Sequence, residues 1–179
     1  MDVGTTFLAS AIKRLAYYKE LGDKTLQILN EADLHFTPAA DNNSIAVIIQ
    51  HMHGNMLSRW TNFLSSDGEK EWRRRDAEFE EQNLNRQQII DHWEEGWKCF
   101  LDALHSLTVN DLEKNIVIRG ESLTVTDAIN RQLAHYPYHI GQMILIAKMI
   151  KKHNWENLSI PKGQSIAFNK SPEGYRGKK

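Results

Sequence analysis

His135 and His139 stand four residues apart in a segment with helical periodicity, so their imidazoles leave one face about 6 Å apart along the axis. Two imidazoles at that spacing can chelate a single transition-metal ion. The pair alone is not a site, because two polar residues beside a core stripe give the same pattern and a third donor must come from another element. Measured from the centre of the apolar stripe, both histidines lie along one flank, where a neighbouring helix packs.

A second periodic segment offers His51 and His53. They fall near opposite edges of its apolar stripe, so position alone leaves both in play. Asn55, one turn after His51, is placed to orient a bound water or substrate, and reads equally well as an exposed asparagine with no role. Asp76 and Glu78 would supply a general base if their segment folded over the pocket, but the charges around them favour a solvated, salt-bridged loop. His35, His92, His105 and His153 have no partner at chelating spacing. Cys99 sits on the apolar side of its helix and reads as inert packing. Trp93 and Trp97 are spaced as core anchors rather than as a binding platform.

Four long amphipathic helices must position these residues. The first runs from Thr5 to about Glu31 on Leu8, Ala11, Ile12, Leu15, Tyr18, Leu21, Ile28 and Leu29, with a bend near Gly22. The second follows the loop Asp41–Ser44 and extends to about Leu64 on Ile45, Ile48, Ile49, Met52, Met56 and Trp60. Between Ser65 and Asn85 the chain is highly charged, with Asp67-Gly68 as a turn and Trp72 and Phe79 as apolar anchors; it reads as an ordered but irregular connection. Asn85 and Gln88 resemble a capping box opening a third helix on Ile89, Ile90, Trp93, Trp97, Phe100, Leu101 and Leu104.

Ile116-Val117-Ile118 before Arg119-Gly120-Glu121 suggests a short β-hairpin leading to Thr124 or Thr126 as the next N-cap. The fourth helix keeps its register from Val125 to Ile150 across Pro137, which removes a backbone hydrogen bond and should bend it beside the histidines. After Asn154 the prolines and glycines argue against a regular element and for a tail wrapping the surface. The fold class is therefore all-α, an up-down four-helix bundle with a short hairpin before the last long helix, in one domain over residues 1–179.

Two stretches carry a family resemblance. Ser44-Ile45-Ala46-Val47-Ile48-Ile49-Gln50-His51-Met52 is similar to the second-helix pattern of the DinB-like family, in which the histidine at the position of His51 binds metal. His135-Tyr136-Pro137-Tyr138-His139-Ile140-Gly141-Gln142 resembles that family's H-x3-H-x-G-Q signature, where both histidines are ligands. The resemblance covers about residues 5–151, within a subfamily of unknown function, and carries no role for the charged connection or the tail. The chain departs from the pattern at Ile140, where many relatives have arginine, and at Pro137 inside the H-x3-H.

The resemblance implies one divalent ion, zinc or nickel, on His51, His135 and His139, in a homodimer. Three neutral imidazoles leave positions open for a water or a thiolate. The implied function is a metal-dependent thiol S-transferase or hydrolase acting on a small molecule, with a low-molecular-weight thiol as partner. The alternative is a stress-related protein that binds metal and a small molecule without turnover. A third reading makes the histidines incidental to a structural dimer module.

Composition is consistent with these expectations. With 179 residues the chain can bury one good core, and a net charge of -1 gives no field that would draw nucleic acid. A lone cysteine and the lack of an apolar N-terminal stretch point to the cytoplasm. The most apolar run, Ile140 to Ile150, is broken by Gln142 and Lys148 and falls short of the roughly 20 residues a membrane span needs.

Overall fold

Capping residues set where each helix begins. In the computed structural model, which describes residues 2–170, Asp2 accepts from the Thr5 backbone N–H and opens α1, Val3–Gln27. Helix α1 passes through Gly22 without a break. Gly22 serves a different need from the expected bend: a Cβ there would collide with the Trp93 ring, so the missing side chain lets α1 approach the next long helix but one. The helix stops at Gln27 rather than Glu31 because Asn30 and Asp33 form a reciprocal capping box that starts a new short helix, α2, Glu31–Leu34.

Ser44 caps α3, Ile45–Trp60, by accepting from Val47 N at 3.1 Å. The expected extension to Leu64 fails because Thr61 turns extended and Asn62 takes a positive φ of 51°, a conformation asparagine tolerates better than most residues. Helix α4, Arg86–His105, begins at the expected Asn85–Gln88 capping box. The hairpin is also present, with β1 Asn115–Ile118 antiparallel to β2 Glu121–Thr124 and Ile118 paired with Glu121. Arg119 and Gly120 both have positive φ, 57° and 76°, the backbone of a two-residue hairpin turn that matches strand twist. Thr124 caps α5, Val125–Lys151, which continues through Pro137.

The four long helices pack in a ring: α1 against α4 and α5, and α3 against the same two. Leu15, Ile49, Met52, Met56, Trp97, Phe100, Ile129 and Tyr136 are fully buried between them. Trp93 and Trp97 are core residues as expected, and Trp93 donates to Asp23 at 2.6 Å. Cys99 is half-buried against Met56 O and Thr61, and burial pushes its thiol up.

The connection from Ser65 to Asn85 contains one 3-10 turn, Asp76–Phe79, and lies on α3 through polar contacts. Gln50 donates to the carbonyls of Ala77, Glu78 and Glu80, while Ser58 and Arg59 both donate to Gly68 O. Trp72, expected as an anchor, is exposed instead; the polar clasp makes a second apolar anchor unnecessary. The tail also departs from expectation, because Ser165–Lys170 forms a short helix, α6, after a turn at Pro161–Gln164 that Gly163 permits with a φ of 84°. Trp155 and Leu158 do pack on the core surface, and the expected tail beyond Lys170 lies outside the described residues. No helix among the described residues is long and apolar enough to cross a membrane.

Candidate metal centre

Helices α3 and α5 bring His51, His135 and His139 together, and leave His53 outside. The closest ring nitrogens of the three lie within 4.8 Å of one another. His135 Nε2 is 3.4 Å from His51 Nε2 and 3.0 Å from His139 Nε2. Two imidazole nitrogens on one tetrahedral ion stand about 3.3 Å apart, so this donor set lies close enough to hold a metal ion. His51 and His139 are buried and His135 is half-buried. His53 turns toward α4, where it stacks on His92 and reaches Glu95 at 2.9 Å.

The outer nitrogens define the chemistry of the inner ones. His51 Nδ1 faces Glu78 Oε2 at 2.9 Å, His139 Nδ1 faces Gln142 Oε1 at 2.8 Å, and His135 Nδ1 faces Gln132 Oε1 at 3.4 Å. Carboxylate and amide oxygens only accept, so Nδ1 of each ring donates outward and the three Nε2 atoms turn inward. A hydrogen bond to the outer nitrogen is also what orients metal-ligating histidines generally. Burial pushes His135 down to about 3, with the charges of His139, His51, Arg131 and Arg73 acting in the same direction. Burial likewise lowers His139 to about 4, against the Gln142 hydrogen bond. The pair is thus neutral near pH 7, the form in which imidazole ligates.

Glu78 corrects the picture of a solvated loop. It is only 7% exposed, because the 3-10 turn carries it over α3 and into the triad's edge. Arg73 donates to it through Nε at 2.7 Å and Nη2 at 2.9 Å. Burial works against its ionisation, but the hydrogen bonds from Arg73 and His51 outweigh that and hold its carboxyl below the ordinary range. Phe79, next in the turn, stacks on the His51 ring at 4.6 Å, and Arg75 lies over Phe79. Asp76 is exposed and, among the described residues, paired only with Arg75.

Asn55 is buried, and its Oδ1 accepts from the Tyr136 hydroxyl at 3.1 Å, between the triad and the core. His35 is held by Leu84 O and Glu81, and His105 and His153 are exposed. Sequence reasoning assigned no role to Gln132 and Gln142, although each lies three residues from a histidine on the same helix, a spacing that makes neighbours. Glu78 joins His51 across 27 residues, and no local pattern signals that contact.

Residues 2–164 match the family described as "Protein of unknown function (DUF1572)", and the chain belongs to it. No match to a curated protein was found.

Proposed function

We propose that this is a metal-binding protein of the DinB-like, up-down four-helix bundle kind, holding one divalent ion, zinc or nickel, on His51, His135 and His139. The observation that carries the reading is the inward set of three Nε2 atoms, two of its separations being 3.4 and 3.0 Å. Nitrogens at that range are bridged by a shared proton or by a metal cation, and Glu78, Gln132 and Gln142 hold the rings with Nε2 inward, the orientation a ligand needs. When bound, such an ion lowers the pKa of a thiol or water at its open position.

Thiol transfer to a small molecule is the activity these residues support best, placed in a cytoplasmic homodimer as composition and the family resemblance imply. Hydrolysis needs a base to handle protons, and both oxygens of Glu78, the buried carboxylate of the site, are engaged by Arg73 and His51. The same engagement favours, as the second reading, a binding protein that sequesters a small molecule without turnover.

The test is the metal content of tag-free protein in wild type and in His51→Ala, His53→Ala and His139→Ala. The expected result is about one ion per chain, as a three-histidine centre requires, in wild type and His53→Ala only. No bound metal after zinc or nickel is supplied would remove the proposal and leave the structural dimer module.

A further inference from the structure

The three rings of the triad are steadied by different means. His51 meets Glu78 at 2.9 Å, and Glu78 is itself clamped by two hydrogen bonds from the buried Arg73 side chain. His135 meets Gln132, which is 1% exposed and held by the packing around it. His139 meets Gln142 at 2.8 Å, but Gln142 is only half-buried. Fixing a glutamine side chain costs about as much rotamer freedom as one hydrogen bond returns, so Gln142 needs a second hold. Tyr138 supplies it. Gln142 Nε2 donates to the Tyr138 hydroxyl at 3.0 Å, which grips the amide at both ends, its oxygen by the residue three back and its nitrogen by the residue four back. The Tyr138 ring also stands edge-on to the His139 ring, with 5.0 Å between centroids and 65° between planes. Burial does not account for a tyrosine at this position, since 61% of it is exposed. Among the described residues its hydroxyl has no hydrogen bond other than the one from Gln142.

We propose, resting on the metal reading above, that Tyr138 is a positioning residue of the metal centre: from the protein surface it fixes Gln142, and through Gln142 the ring plane of His139. Its effect is on ligand geometry alone. A ligand ring free to swing is in the binding arrangement only part of the time, and the apparent affinity falls by that fraction. Arg73 and burial support the other two rings from within the protein, whereas the support of His139 ends in solvent. Affinity for the ion is thereby adjustable by a residue that the fold does not need.

The experiment uses full-length protein, with zinc affinity read by competition against a chromophoric chelator and cobalt(II) absorption reporting the geometry around the ion. The variants are Tyr138→Phe, Gln142→Leu and the two combined. Gln142→Leu should weaken zinc binding about 10–100-fold, as loss of the outer hydrogen bond does at metal-ligating histidines. Tyr138→Phe should weaken it about three- to tenfold, the scale of one ordinary hydrogen bond, and should shift the cobalt spectrum in the direction that Gln142→Leu does. In the combined variant Tyr138→Phe should add nothing, because the residue it acts through is gone. The melting temperature of metal-free Tyr138→Phe should be that of wild type, as for most exposed substitutions; a lowered melting temperature with zinc affinity intact would mean a role in the fold alone and would overturn the assignment. So would a loss of affinity that persists in full in the Gln142→Leu background. Wild-type protein that takes up neither zinc nor cobalt would overturn the metal reading and this inference together, so the two failures are told apart.

Discussion

His51 and Glu78 share a 2.9 Å contact that joins α3 to the charged connection, and the same carboxylate carries both hydrogen bonds from Arg73. Removing its charge strands a buried guanidinium and frees the His51 ring to turn. Glu78→Gln should therefore lower stability by about 3 kcal/mol and weaken metal affinity by about 10–100-fold. Urea unfolding of metal-free protein and a competitive zinc titration measure the two effects separately. Unchanged zinc affinity would mean that Glu78 does not orient the ligand.

Two glycines in helices should respond in opposite directions to alanine. At Gly54, one turn from His51, a Cβ would run into the Glu78 carboxylate, which Arg73 and His51 hold in place. Gly54→Ala should cost about 2 kcal/mol through overpacking, despite better helix propensity, and should reduce metal binding as well. At Gly141 a Cβ meets nothing within 4 Å, so Gly141→Ala should add about 0.5–1 kcal/mol. Thermal melts of both variants decide the matter, and a Gly54→Ala protein as stable as wild type or more so would show that the contact at Gly54 is not as tight as described.

Acid should loosen the metal-free protein before its carboxylates begin to titrate. Once unfolded, His135 and His139 take up protons near pH 6.5; folded, they resist until about 3 and about 4. Between pH 6.5 and 4 the unfolded chain holds more protons, so stability is fully present above pH 6.5 and falls as pH drops through this window. Urea midpoints at pH 7.5, 6 and 5 in chelator-treated protein should fall in that order. The slope should be shallower in a His135→Leu/His139→Leu double variant; an identical slope would assign the effect to other groups.

Tyr136→Phe separates packing from metal binding. The hydroxyl is fully buried and donates to Asn55 Oδ1, so its loss leaves a buried acceptor unpaired, at a cost of about 1–2 kcal/mol. Metal stoichiometry should stay that of wild type, because neither group touches the Nε2 cluster. A Tyr136→Phe protein that loses its ion would place Asn55 in the site itself.

How much of this was readable from sequence followed the range of the interactions. Capping signals and periodicity located α3, α4, α5 and the hairpin, since Ser44, Asn85 and Thr124 act within three residues of themselves. Helix ends went wrong where a competing local structure intervened, the Asn30–Asp33 box at α1 and left-handed Asn62 at α3. His135 and His139 were visible as a spacing, but His51 could be separated from His53 only by resemblance, because both border the same apolar stripe. Glu78 is legible only as one of two loop carboxylates that reach the pocket if the segment folds over it, and Arg73 carries no signal at all: a run of alternating charge looks like a solvated surface until Gln50 and Arg59 are seen to pull it onto α3.

The hairpin turn bears on the order in which the molecule assembles. Asp67 accepts from the backbone N–H groups of Arg119 and Gly120, each at 2.9 Å, across 52 and 53 residues of chain. A two-residue hairpin closes locally and fast, while a contact of that span waits on the loop entropy of everything between. The connection that brings Glu78 to His51 is therefore fastened at its start by a late event. Asp67→Ala should accelerate unfolding far more than it slows folding, and proteases should find the segment from Ser65 to Asn85 before they find the helices.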